Sequence, residues 1–148
     1  MKHMWSEEEI QEQAKIENLV DAKGRNRFIE IEGTPGEKEG MHIYYGKCVL
    51  NGNNLIFEIE GNFTKSNGPD FPLCKFTLPE WIAQKIHLGF SNVVDFVPYS
   101  QVSTDGIIET SLYCIYKEGN VLNFSQYTSV NAPSLTVFKI RYNIIISE

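Results

Sequence analysis

Turn signals punctuate the chain from Met41 to its end at short, regular intervals, and that spacing constrains the fold more than any single residue does. Asn51-Gly52-Asn53-Asn54 and Lys117-Glu118-Gly119-Asn120 are tight hairpin signals, because Asn and Gly accept positive φ at little cost. Lys65–Asp70, Ser100–Gly106 and Thr128–Ser134 are longer polar loops. Between them lie short apolar or alternating runs. In Leu55–Thr64, Leu55, Phe57 and Ile59 share one face, while Ile56, Glu58 and Glu60 share the other. With Phe28–Glu32 added, the pattern predicts roughly eight strands at the spacing of a sandwich. No helical period separates the strands, as a parallel α/β sheet would require. The predicted fold is all-β, an antiparallel β-sandwich of jelly-roll type. The last run, Leu135–Ile146, is apolar on both faces near Ile144-Ile145-Ile146, so that strand is expected to be central or covered by a partner.

The pivot between the two halves is Phe71–Ile82. Its extended part runs into Pro79, which has no N–H for a sheet ladder. From Glu80 to Ile86 the apolar spacing turns helical, which predicts one or two turns with Pro79 at or just before the start.

One short α-helix is expected ahead of the β domain, from Ser6 to about Val20. Ser6 and Glu9 have the spacing of a capping box, and Trp5 and Ile10 that of a hydrophobic staple. Its apolar stripe is thin, so the helix is expected to pack on its own domain or on copies of itself. Residues 1–27 are read as helix and linker for assembly or attachment, and 28–148 as the β-sandwich domain. Within the linker, Lys23, Arg25 and Arg27 are read as solvated. Gly33–Gly40 is read as a mobile loop without the lysine and hydroxyl of a phosphate-binding motif.

The chain of 148 residues carries a net charge of −6 with scattered cations, which argues against nucleic acid and anionic membrane as partners. No apolar run is long enough to insert in a membrane, and Met1–Trp5 lead into glutamates rather than a signal-peptide core. Cys48, Cys74 and Cys114 sit among apolar neighbours and read as buried free thiols of a chain made in a reducing cytoplasm. His3, His42 and His87 have no metal-ligand spacing, so neither a metal nor another cofactor is called for. The pairs Glu30/Glu32, Glu37/Glu39 and Glu58/Glu60 resemble the two carboxylates of a glycosidase. Their alternation with Ile and Phe explains them as the wet face of a half-buried sheet. No catalytic motif is present, and the chain is read as a non-enzyme.

Tyrosine and tryptophan suit protein interfaces and sugar faces alike, having a flat apolar body and a polar tip. Trp81, Tyr99 and Tyr127 are the candidate ligand-binding platforms, with hydrogen bonds expected from the loops Ser100–Gly106 and Thr128–Ser134. For Trp81 the competing reading is a plug at the corner.

The arrangement of capped helix, linker and compact β domain resembles the terminal modules of bacteriophage tail-fibre and baseplate proteins. The similarity runs over about 41–146: Gly46–Leu50, Asn54–Gly61, Phe76-Thr-Leu-Pro-Glu-Trp81, then Glu118-Gly-Asn-Val-Leu-Asn123 and a long final strand. The glycine often found after Leu-Pro-x in such modules is here Trp81. The resemblance implies a homotrimer in the virion tail that binds a host cell-surface saccharide or protein. The alternative is a non-viral carbohydrate-binding or trimeric jelly-roll module.

Overall fold

The structure, a computed structural model, describes residues 6–9, 20–21, 23–132 and 134–147. Nine strands and one short helix follow in order over residues 28–145. They are β1 (Phe28–Glu32), β2 (Thr34–Pro35), β3 (Met41–Asn51), β4 (Asn54–Phe63), β5 (Pro72–Thr77), α1 (Glu80–Ala83), β6 (Val93–Ser103), β7 (Ile108–Glu118), β8 (Val121–Gln126) and β9 (Thr136–Ile145). They form a single sheet in the order β1-β3-β4-β9-β6-β7-β8-β5-β2, and every pairing is antiparallel.

The two tight hairpins form where the turns predict them, with Gly52 at φ 64° and Gly119 at φ 60°. Strand β9 is internal, paired with β4 along its full length but with β6 only from Thr136 to Phe138. At that narrow seam the sheet folds back on itself. The layer β1-β3-β4-β9 thus faces β6-β7-β8-β5, and the sandwich is one continuous sheet rather than two separate ones. Aromatic rings fill the space between: Phe57 meets Phe76 and Phe124 at 5.1 Å each, and Phe63 stacks on Phe138 at 4.6 Å. The inward residues Leu55, Phe57, Ile59 and Phe63 of β4 are fully buried, as the alternation predicts.

The segment expected to be a mobile loop does something else. It continues β1 across the gap between the two sheet edges. Gly33 N–H donates to Gly46 O of β3 (2.9 Å), and Gly36 N–H to Leu73 O of β5 (2.9 Å), with β2 paired to β5 between them. One stretch of chain therefore meets both edges and nearly closes the sheet. The closure needs glycine: a Cβ on Gly33 would lie 2.5 Å from Cys74 Sγ and 2.7 Å from the Phe76 ring.

Further expectations are met in part or changed. Strand β6 begins at Val93 and runs through Ser103, so the predicted loop Ser100–Gly106 shrinks to its last residues. The strand there buries Gln101 and Ser103, polar residues that read as loop. Of the predicted helix the structure describes residues 7–9, which are helical and held by the capping box: Ser6 N–H donates to Glu9 Oε1 (3.2 Å) and Glu9 N–H to Ser6 Oγ (3.1 Å). Residues 10–19 and the staple pair Trp5 and Ile10 lie outside the described residues, and Val20 bridges Asn26 rather than continuing a helix. The linker read as solvated is so at Lys23, but its other two cations are folded in. Asp21 and Arg27 are buried, Asp21 Oδ1 accepts from the N–H groups of Lys23 and Arg25 (2.9 Å each), and Asp21 Oδ2 pairs with Arg25 Nε (2.5 Å).

Candidate functional site: a polar cleft at the loop end

Three connections meet at one end of the sandwich: 64–71 after β4, 104–107 after β6 and 127–135 after β8. Hydrogen bonds tie them together. Asn67 and Val130 exchange backbone bonds at 2.9 Å, Ser66 Oγ accepts from Ala132 N–H (2.8 Å), and Thr104 N–H donates to Leu135 O (2.9 Å). Ser134 Oγ donates to Asp105 Oδ2 (3.2 Å). The two loops proposed from sequence as a recognition surface therefore do lie together, joined by a third that reads only as a turn.

Between them opens a cleft of about 580 Å³, walled by Ser66, Asn67, Thr110, Ser111, Ser129 and Asn131, with Glu109 as the one carboxylate. A smaller recess of about 70 Å³ shares Glu109 and Asn131 and reaches Gln101, Ser103 and Thr136. Here the strand that buries polar residues acquires a purpose: inward positions of β6 and β7 supply the floor. The polar groups are incompletely used. Asn67 Nδ2 and Oδ1 are both buried without a protein partner, and so is Gln101 Nε2. A buried polar atom left unpaired costs about 1–3 kcal/mol. An unpaired amide in a cleft wall gains its missing partners when the side chain turns outward to a ligand carrying both hydrogen-bond donors and acceptors.

The three aromatic candidates are not brought together. Tyr99 is only 6% exposed, packed between Tyr113 (5.4 Å) and Phe138 (5.8 Å). It cannot serve as an exposed platform, and burial pushes its phenol well above the usual value. Its hydroxyl donates to Gln126 Oε1, and Gln126 Nε2 donates to Thr128 O (2.5 Å), so Tyr99 supports the 127–135 loop from beneath. Trp81 is half-buried at the α1 corner. Its ring lies under Arg25 (4.5 Å) and Arg27 (5.1 Å), the chain's own guanidinium groups, which occupy the face a sugar would need. Tyr127 alone is exposed, tilted against Phe96 at 4.7 Å on the outer face of β6–β8.

Sequence reasoning misses Asn67 and Glu109; Gln101 and Asn131 fall within the two loops it named, though not as individual residues. The signal was present in the density of Ser, Asn and Gly at 65–68 and 128–131, but only the fold shows that these turns face one another.

Glu58 and Glu60 lie on the wet face of β4, against Arg141 (3.8 Å) and Lys139 (3.2 Å) of β9. Each is ion-paired across the ladder, and neither lines the loop-end cleft or its smaller recess. Among the described residues no cluster of His, Cys, Asp and Glu could hold a metal ion, and no helix is long and apolar enough to cross a membrane.

No protein-family model and no curated protein sequence matches the chain. Solved structures similar to it include viral fibre heads and attachment domains. The Ad16 fiber knob is 12% identical with a TM-score of 0.44, over 80% of this chain and 92% of that one. The C-terminal receptor-binding domain of avian reovirus fibre sigmaC is 16% identical with a TM-score of 0.38, over 80% and 73%. A reovirus attachment protein sigma1, solved in complex with alpha-2,3-sialyllactose, is 10% identical with a TM-score of 0.34, over 86% and 73%. Superpositions at this level describe a loosely shared strand arrangement and carry nothing about ligand or partner.

Proposed function

We propose that this chain is a non-enzymatic viral attachment module, the receptor-binding tip of a bacteriophage or prophage tail fibre. In this reading it assembles as a homotrimer on the virion and binds a host cell-surface saccharide in the loop-end cleft. The observation that carries the proposal is Asn67, whose side-chain amide is buried in the cleft wall with neither polar atom paired. A primary amide donates to one hydroxyl of a vicinal diol and accepts from its neighbour. The serine, threonine and asparagine groups around it supply further hydrogen bonds without charge, and Glu109 offers two strong acceptor oxygens. No lysine or arginine lines the cleft, so neutral sugars suit it better than phosphate or sulfate. Glycoside cleavage needs two carboxylates across the bond, and the cleft wall holds one.

The test is a glycan array and titration of its best neutral hit, with light scattering on the same full-length sample. Asn67→Ala should cut affinity at least about tenfold, the cost of leaving two sugar hydroxyls unpaired. Its melting temperature should stay level or rise. Binding unchanged in both Asn67→Ala and Glu109→Gln would remove the cleft from consideration. A solution mass near three times 16.9 kDa supports the fibre reading. A monomer that still binds would move the chain to the non-viral carbohydrate-binding alternative.

A further inference from the structure

A second groove, of about 260 Å³, opens on the outer face of β6–β8 and shares no lining residue with the loop-end cleft. Phe96, Tyr116 and Tyr127 wall it, and Asp70 and Asn92 stand at its rim. Two features set it apart. Asp70 and Ser91 are the two non-glycine residues with positive φ among the described residues, at 63° and 53°, and both lie on the segments that form this rim. Left-handed backbone at non-glycine residues is costly and gathers where a ligand must be met. At Asp70 it is fixed by the residue's own N–H, which donates to Gln126 O (2.7 Å) and turns the residue towards the groove.

The second feature is charge. The Asp70 carboxylate makes no ion pair or hydrogen bond among the described residues, and no lysine or arginine lines the groove. Asp95, next to Phe96 but outside the groove's lining, adds a second negative charge nearby, with Oδ1 accepting from Phe96 N–H and Oδ2 from Tyr142 hydroxyl (2.8 Å each). The groove feels both: burial first, then Asp70 and Asp95, push the Cys114 thiol up. Aromatic ring faces and a free carboxylate are the two groups that bind a desolvated cation, by ring quadrupole and by ion pair. A chain of net charge −6 adds a long-range field of the same sign.

We propose that this groove takes an arginine or lysine side chain of a protein partner, its cationic head against Asp70 and its stem along the paired rings of Phe96 and Tyr127. The site is separate from the saccharide cleft, and neither reading depends on the other.

The test uses the full chain, isotopically labelled, titrated by NMR with N-acetyl-arginine methylamide and with its uncharged isostere N-acetyl-citrulline methylamide. The arginine probe should shift signals of Asp70, Phe96, Tyr116 and Tyr127, and the citrulline probe should bind at least about tenfold more weakly. Asp70→Asn should weaken the arginine probe about threefold to fivefold, because Asn tolerates the left-handed backbone and only the charge is lost. Tyr127→Leu should weaken it by a similar factor. Rising salt should weaken the parent more than Asp70→Asn. Equal binding of the two probes, no shifts at the groove, or an unchanged Asp70→Asn would each overturn the proposal. A dispersed spectrum for Asp70→Asn separates loss of charge from loss of fold.

Discussion

Tyr99 and Gln126 form a buried link between the core and the loop end. The Tyr99 hydroxyl donates to Gln126 Oε1, and Gln126 carries the restraint on to Thr128 O. The ring is held by Tyr113 and Phe138, so the position of the 127–135 loop is referred directly to the aromatic core. Tyr99→Phe keeps the packing and leaves Gln126 Oε1 without its donor, at a cost of about 1–2 kcal/mol. The melting temperature should fall by roughly 3–8 °C. Affinity in the cleft should fall with it, as Ser129 and Asn131 lose their fixed positions. Unchanged affinity with a lowered melting point would confine Tyr99 to a stability role.

Gly33→Ala should be among the most damaging single-methyl changes in the chain. Its Cβ meets Cys74 Sγ and the Phe76 ring, both in the packed core, so the segment must back away from β3 or β5. Overpacking of this kind costs about 1–3 kcal/mol. Denaturant unfolding should show a lower midpoint, and hydrogen exchange should rise first at Gly33 and Gly36.

Acid should loosen the 21–27 turn. Burial alone would raise the Asp21 carboxyl, but hydrogen bonds from Arg25 and Lys23 outweigh it and hold the group below its ordinary 3.8. A depressed folded value means the contribution is present above about pH 3.8 and is lost as pH falls through the folded value. Asp21→Asn should therefore lower stability at neutral pH and flatten the acid limb of a stability–pH curve. An unaltered acid limb would show that another carboxylate governs it.

Two thiols set a limit on the alkaline side. Burial pushes Cys48 and Cys74 from an ordinary 9.0 up to about 12. A raised folded value means stability is intact below about pH 9 and is lost as pH climbs towards 12, because only the unfolded chain can ionise. Native protein at pH 8 should accordingly resist iodoacetamide at both positions and label fully in denaturant, as mass spectrometry of the digested peptides would show. Rapid native labelling of Cys74 would mean that the sheet closure opens often.

Glu58→Gln and Glu60→Gln should each change stability by less than about 1 kcal/mol, the usual range for solvent-exposed ion pairs. Neither should alter saccharide binding. A lost activity in either variant would revive a catalytic reading of the paired glutamates.

The strand pattern was legible because one face of β4 is consistently apolar and the other polar, and because Gly52 and Gly119 sit where hairpins need positive φ. The capping box at Ser6 and Glu9 was readable for the same reason, since its chemistry is local. What failed was non-local. Gln101 and Ser103 look like loop residues until β7 and β9 bury them, and Arg27 looks solvated until Asp21 and Trp81 are found beside it. Tyr99 and Tyr127 are the same residue type in similar settings. Only inward or outward facing separates a core strut from an exposed ring, and that depends on a register no local pattern fixes.

The stretch from Phe28 to Gly36 is among the earliest of the β domain to be synthesised, yet it has nothing to lie against until β3 and β5 exist. Its first half waits for a strand within the next hairpin; its second waits for one beyond it, itself laid on β8. Closure thus comes late in assembly and depends on contacts distant in sequence, which slows folding. Until it comes, β3 and β5 both present bare edges to neighbouring chains. Faults at Gly33 should therefore appear first as aggregation during expression, before any loss of binding by the protein that does fold.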